Sequence, residues 1–166
     1  GAALTDVLAA AGVNYDAVTS VLVGGFHGRW VRPEGVILSL GEGPAGQSSV
    51  RPGAGVVHII GPGHCGLHET AGMVSYLAAQ SARQCGPCEF GLPALSQTFS
   101  KIVAGLGGQA VIDQARGLMN LVSGRGACHH PDGTVGLIHS ALDVFADDIA
   151  RHARGRCAEL HRGGVL

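Results

Sequence analysis

Apolar positions recur with helical spacing throughout the second half of the chain, where glycine or proline separates four such segments. They run from about residue 67 to 82, from 92 to 106, from 109 to 122, and from 135 into the arginines at 151–156. The second has the clearest stripe; it begins at Leu92 and Pro93, and Gly107 ends it. Four helices joined by short loops predict an antiparallel four-helix bundle.

Before position 62 the pattern changes to short β-branched runs, which are typical of strands. A brief helix is predicted first, with Thr5 as its N-cap and Gly12 at its end. Strands are predicted over residues 18–23, 29–31 and 56–60, and glycine- and proline-rich stretches cover 41–55 and 61–66. We therefore expect an α+β fold, with a small α+β domain over residues 1–62 and a helical domain over 63–166.

Composition narrows the function classes. The formal charge of −1 comes from 11 basic and 12 acidic residues spread along the chain, so no basic stripe indicates a nucleic-acid partner. Apolar stretches stop well short of the roughly 20 residues that a membrane span needs. The first residues also lack a basic region followed by an apolar one. These patterns predict a soluble, cytoplasmic protein without direct membrane insertion.

Five cysteines, with two of them in a Cys-x-x-Cys turn, indicate metal or redox chemistry rather than a secreted disulfide framework. In an up-down bundle the first and third helix–helix loops lie at one pole, so Cys85, Cys88 and Cys128 are expected to meet there. Cys65 and Cys157 fall at the other pole, roughly 25 Å away, and are excluded from this site. We expect those two to be small buried apolar residues close to each other.

Three thiolates suit a metal ion or an iron–sulfur cluster and leave one position open. His129 and His130 follow Cys128 directly. Either imidazole is a candidate ligand, or a hydrogen-bond donor to cluster sulfide. On ligand types alone, a structural Cys₃His zinc site fits these residues.

Dithiol exchange is a further alternative, because Cys-Gly-Pro-Cys is also the active-site sequence of thioredoxins. In thioredoxins that turn follows a buried strand, whereas residues 76–81 precede it here with helical period. The context therefore disfavours thioredoxin-like exchange.

The segments SARQCGPCEFG at 81–91 and GRGAC at 124–128 resemble the iron–sulfur region of the NADH-binding flavoprotein subunit of respiratory complex I. Related formate dehydrogenase and hydrogenase subunits share it. In that family the pattern reads Ser-Cys-Gly-x-Cys-x-Pro-Cys-Arg-x-Gly, with a fourth cysteine further along the chain. The resemblance implies a [4Fe–4S] cluster that accepts electrons from flavin.

By position, the family's last three cluster cysteines fall on Cys85, Cys88 and Cys128, and its first falls on Ala82. The family's arginine after the third cysteine is here Glu89. The resemblance therefore implies a cluster with an incomplete cysteine set. The ligand that replaces the missing thiolate is left open.

The family also carries a ubiquitin-like β-grasp domain of the soluble-ligand-binding type directly before its helical domain. Residues 3–60 resemble the later part of such a domain, and the absent leading hairpin predicts that Gly1 marks a truncation. The FMN and NADH sites of the family lie upstream, so here they are expected only on an upstream or partner domain. The resemblance implies the electron-transfer part of an NADH dehydrogenase-like flavoprotein oxidoreductase, without catalytic residues of its own. Its expected partners are a flavin/NADH-binding domain or a small iron–sulfur protein.

Overall fold

The computed structural model describes residues 1–41 and 48–157, and these form an α+β fold, as predicted. The helices are α1 (Leu4–Ala10), α2 (Gly66–Ala79), α3 (Leu92–Val103), α4 (Gly108–Val122), α5 (His130–Val144) and α6 (Ala146–His152). The strands are β1 (Ala2–Ala3), β2 (Ser20–Val23), β3 (Arg29–Val31), β4 (Val36–Leu38), β5 (Ser48–Val50) and β6 (Val57–Ile60). A 3₁₀ turn spans Tyr15–Ala17, and a π-helical turn spans Pro87–Gly91.

The strands form two three-stranded sheets. In one, β2 lies between β3 and β6 and is antiparallel to both; these are the three predicted strands, each as long as expected or shorter. In the other, β4 lies between β1, which is antiparallel to it, and β5, which is parallel. The second sheet was not predicted, and part of the glycine-rich stretch at 41–55 lies outside the described residues. The prediction for Thr5 was wrong, because α1 begins at Leu4 with Ala3 as its N-cap and no side-chain cap.

All four residues of β2 are buried, although successive side chains of a strand point to opposite faces. Val21 and Val23 belong to a small core that includes Leu4 and Leu8 of α1. Leu22 belongs to the main core, which is formed mostly by the helices. Strand β2 is therefore the wall between two apolar clusters.

Helices α2 to α5 form the predicted four-helix bundle: α2 packs against α3 and α5, α3 against α4, and α4 against α5. Its fully buried side chains include Leu67, Val74, Leu92, Leu95, Phe99, Leu137 and Ile138. Among the residues that the structure describes, no helix is long and apolar enough to cross a membrane.

The fourth predicted helix is broken, contrary to expectation. It begins earlier, at His130 with Pro131 in its first turn, and it ends at Val144; Phe145 is both the C-cap of α5 and the N-cap of α6. The Phe145 ring lies so close to Gly66 that a Cβ on Gly66 would stand 2.1 Å from it. Packing of this ring against the start of α2 accompanies the break.

The sheet around β2 packs directly on the bundle. Edge strand β3 lies against α5, and the Arg32 guanidinium donates a hydrogen bond to the carbonyl of Val144 at 3.2 Å. That carbonyl is at the end of α5, where helical carbonyls lack partners within the helix. Trp30 and Ile60 belong to the same core as the bundle helices. The division into domains 1–62 and 63–166 stays a prediction.

Candidate metal centre

Two helix–helix loops meet at one end of the bundle, as the antiparallel arrangement requires. The first follows α2 and leads through Cys85 into the π-helical turn, which contains Cys88. The second follows α4 and ends at Cys128, just before α5. Cys88 is buried, Cys85 is half-buried and Cys128 is exposed. Cys88 is therefore in the protein interior, Cys128 is at the surface, and Cys85 has an exposure between the two.

Backbone N–H groups point at two of these thiols. The nearby N–H groups of Ala127 and Cys88 lower the pKa of the Cys85 thiol, and the Cys88 N–H donates to the Cys85 carbonyl oxygen at 3.0 Å. Burial raises the pKa of the Cys88 thiol, the nearby Cys85 and Cys128 thiols raise it further, and the N–H of Arg83 opposes them. Hydrogen bonds donated to cysteine sulfur stabilise the thiolate and tune bound iron–sulfur clusters. This end of the bundle is thus equipped to hold thiolates.

The turn that supplies one of these donors is conformationally unusual. Arg83 has a φ of 53°, and it is the one non-glycine residue with a positive φ in residues 1–41 and 48–157. The Ser81 hydroxyl holds the turn by donating to the carbonyl of Ala78 at 3.0 Å, with the carbonyl oxygen of Cys88 3.5 Å away as an alternative acceptor. A left-handed non-glycine residue is costly and is found most often at functional sites. Here it aims the Arg83 N–H at Cys88.

The π-helical turn brings Cys88 close to the end of α4. A Cβ on Gly91 would stand 2.4 Å from Cγ2 of Val122, which is a buried residue of α4. Only glycine therefore allows this approach without repacking. π-Helical turns inside helices are often found at functional sites.

Asp132, in the first turn of α5, holds the second loop. Its Oδ1 accepts a hydrogen bond from the N–H of Gly124 at 2.7 Å, and its Oδ2 lies 3.6 Å from Nδ1 of His129. The loop is also tight, since a Cβ on Gly126 would stand 2.8 Å from the Cys128 carbonyl oxygen. Sequence reasoning missed Asp132; its place two residues after the paired histidines, before a helix, was the available signal.

The two candidate histidines differ in their surroundings. His129 is fully exposed beside Asp132. His130 is half-buried, and its Nε2 donates to the carbonyl of Leu77 at 3.0 Å, because a carbonyl oxygen can only accept. Its ring also packs edge-on against His27, at 5.0 Å between centroids. His130 thus joins the start of α5 to α2, whereas His129 faces solvent.

Within the described part of the chain, three or more metal-binding donor atoms gather within 4.8 Å of one another at one place only. That place is not the loop pair with Cys85, Cys88 and Cys128. A single zinc ion needs all its ligands around one point, whereas cluster thiolates bind separate irons and stand farther apart. The donor atoms of Cys85, Cys88 and Cys128 thus do not all lie within 4.8 Å of one another in the described part of the chain.

The single convergent group lies at the other end of the bundle and consists of Cys65, His152 and Cys157. The predicted closeness of Cys65 and Cys157 is confirmed. Burial of Cys157 was predicted wrongly, because it is exposed. Burial raises the pKa of the Cys65 thiol to about 11, and the neighbouring Cys157 thiol also raises it. Sequence reasoning missed His152, although a histidine five residues before a cysteine is a recognisable ligand spacing.

Comparison with known proteins identifies the helical region. The family model described as the NADH-ubiquinone oxidoreductase-F iron–sulfur binding region matches residues 68–152, just over half of the chain. No curated protein sequence matches. A solved structure of NAD⁺-reducing [NiFe]-hydrogenase in the H₂-reduced state has a similar fold, with a TM-score of 0.74 and 18% identity. The match covers 92% of this chain and 26% of that one, so the chain spans about a quarter of its length. Together with the cysteine pattern, the family match shows that the chain belongs to the family of NADH-ubiquinone oxidoreductase-F iron–sulfur binding regions.

Proposed function

We propose that the chain transfers electrons through an iron–sulfur cluster held by Cys85, Cys88 and Cys128. The observation that carries the proposal is the meeting of the two cysteine loops at one end of the bundle, where the Ala127 N–H of one loop faces the Cys85 thiol of the other. When bound, such a cluster supplies one-electron transfer. The family match favours the [4Fe–4S] type.

The chain's own residues hold the cysteines and control their access to solvent. N–H groups from both loops face the sulfurs, and Ser81 and Asp132 fix the two loops. Cys88 is only 4% exposed, so the inner side of the site is dry, whereas Cys128 is at the surface. A surface-exposed edge gives a partner close access to the site.

The fourth position stays the main open feature of the site. Ala82, where the family has its first cysteine, is exposed and has no donor atom. His130 is engaged with Leu77, which suits positioning, while His129 is exposed next to Cys128. We therefore favour His129 over His130 as the substitute ligand.

The electron donor and acceptor belong to this proposal as well. The chain spans about a quarter of the hydrogenase chain with which it shares its fold. We propose that FMN and NADH bind to an upstream or partner domain, and that a flavin domain or a small iron–sulfur protein exchanges electrons at the exposed edge near Cys128. The chain would thus be the electron-transfer part of a larger NADH dehydrogenase-like oxidoreductase.

The test is iron and sulfide analysis of anaerobically purified protein, with its visible spectrum. We expect brown protein containing iron and sulfide, and loss of both in Cys85→Ser, Cys88→Ser and Cys128→Ser. Cys157→Ser, which changes a thiol at the other end of the bundle, should retain iron. A colourless protein that binds only zinc through Cys85, Cys88 and Cys128 would instead support the structural zinc site.

A further inference from the structure

A second group of metal-binding side chains lies at the end of the bundle away from the cluster loops. Cys65 directly precedes α2, His152 is the last residue of α6, and Cys157 follows five residues later. Their donor atoms all lie within 4.8 Å of one another. Such convergence brings together the start and the end of the helical region, which are distant in sequence.

The His152 ring is oriented as metal-binding histidines usually are. Its Nδ1 lies 2.5 Å from the Val103 carbonyl oxygen, which can only accept, so Nδ1 carries the proton and donates. With the proton on Nδ1, the lone pair of a neutral ring is on Nε2, which lies 3.3 Å from the Cys65 sulfur. Metal-ligating histidines commonly donate the other ring N–H to a carbonyl, which fixes the tautomer and the direction of the lone pair. His152 is only 6% exposed, so this arrangement is held inside the protein.

Cys65 is also placed as a metal-bound cysteine would be. It is the N-cap of α2, and the backbone N–H groups of His68 and Leu67 face its sulfur and lower the pKa of the thiol, although burial raises that pKa more. These groups and the positive end of the helix dipole partly offset the effect of burial, which by itself favours the thiol. A metal ion that displaces the thiol proton would supply the rest of the charge compensation that the buried thiolate needs.

His68 is the neighbouring candidate for a fourth ligand, although its donor atoms lie outside the 4.8 Å group. It lies three residues after Cys65 in the first turn of α2, and its ring is edge-on to that of His152 with 5.5 Å between centroids. The four residues thus form two short pairs, Cys-x₂-His and His-x₄-Cys, separated by the bundle. Two local pairs brought together by the fold are the usual arrangement of structural zinc ligands.

We propose that Cys65, His68, His152 and Cys157 bind one zinc ion in a tetrahedral Cys₂His₂ site. Both cysteines bind as thiolates, and their protons go to solvent. The ion would fasten α6 and the segment after it to the start of α2. This site is separate from the cluster cysteines and does not depend on them.

The experiment uses the full chain with Cys85, Cys88 and Cys128 all changed to Ser, so that the cluster thiols contribute nothing. Zinc content is measured after purification, and cobalt(II) is titrated into the metal-free protein. We expect one zinc per chain, and a cobalt(II) spectrum with thiolate-to-metal charge transfer and the intense visible bands of tetrahedral cobalt. Adding Cys65→Ser, His152→Ala or Cys157→Ser should weaken cobalt(II) binding at least about tenfold.

His139→Ala is the matched control, since His139 is an exposed α5 histidine paired with Asp143, and it should bind cobalt(II) normally. His68→Ala should weaken binding and change the visible bands; an unchanged spectrum would overturn the role of His68.

The whole site would be overturned by absence of zinc and cobalt(II) binding in reduced protein, or by unchanged affinity in the Cys65 and Cys157 variants. A Cys65–Cys157 disulfide whose reduction yields no metal binding would overturn it too. Iron retention by the parent protein is measured separately, so failure here is distinguishable from failure of the electron-transfer proposal.

Discussion

The backbone N–H of Trp30 donates a buried hydrogen bond to the hydroxyl oxygen of Ser140, at a distance of 3.0 Å. Trp30 lies in edge strand β3, and Ser140 lies in α5. Exposed strand edges carry unpaired N–H groups, and covering them with a helix is one way in which proteins protect them. The Ser140 hydroxyl therefore accepts the hydrogen bond from the Trp30 N–H that a neighbouring strand would otherwise accept.

Replacing this hydroxyl should destabilise the protein measurably. We expect Ser140→Ala to lower the free energy of unfolding by about 1–3 kcal/mol, because it leaves the Trp30 N–H buried without an acceptor. Urea denaturation followed by tryptophan fluorescence measures the change. Ser100→Ala removes an exposed hydroxyl that bonds only within its own helix, so its stability should be close to that of the parent. Equal stability of both variants would show that the Trp30 contact contributes little.

Restoring the missing thiolate should change the redox potential of the cluster. With three thiolates, the site carries less negative charge than with four, which favours the reduced state. Ala82→Cys should therefore lower the midpoint potential, by on the order of 100 mV. Redox titration beside the parent and Ala82→Ser, which adds a poor ligand of similar size, checks this. An unchanged or higher potential in the Cys variant would contradict the three-thiolate arrangement.

Packing of the π-helical turn against α4 should be sensitive to a single methyl group. Gly91→Ala would push its Cβ to 2.4 Å from Val122, so we expect about 1–3 kcal/mol of destabilisation and lower iron content. Combining it with Val122→Ala removes the clashing methyl groups. The double variant should regain iron relative to Gly91→Ala, and its two effects on stability should be strongly non-additive. Additive effects would mean that Gly91 acts by another route.

Asp132 should control how firmly the Cys128 loop is held. We expect Asp132→Ala to accelerate iron loss to a chelator several-fold, because Gly124 loses its acceptor. Asp132→Asn keeps an oxygen at the same place and should retain iron more nearly like the parent. Asp143→Ala, another exposed acidic residue of α5, serves as the control. Equal chelation rates for Asp132→Ala and this control would remove Asp132 from the site.

Local patterns in the sequence were enough for helices α2 to α4 and for the meeting of the two cysteine loops. The apolar stripe that ends at Gly107 and the proline at position 93 are local signals, which depend only on neighbouring residues along the chain. Helix α3 therefore begins where the sequence predicts. Antiparallel topology then places Cys128 near the Cys-x-x-Cys turn. Both steps need only periodicity and loop length.

Long-range pairing could not be predicted in the same way. Strands β1, β4 and β5 have two or three residues each and are defined by partners such as Ala2 with Leu38. Likewise, His152 reaches Cys65 from a short helix that follows Phe145, and the Phe145 ring packs against Gly66, which is far from it in sequence. The π-helical turn at Cys88 depends on Gly91 fitting against Val122, which is again a tertiary contact.

Strand β2 has a consequence for how the molecule unfolds. Its alternate side chains, Val21 and Leu22, seal two different apolar clusters, so neither cluster can open to water without loosening the other. Heating should therefore give one cooperative transition, and the slowest hydrogen exchange should include the β2 amides. Cutting the chain at residue 62 would leave the helical fragment with an uncovered apolar face and a tendency to aggregate.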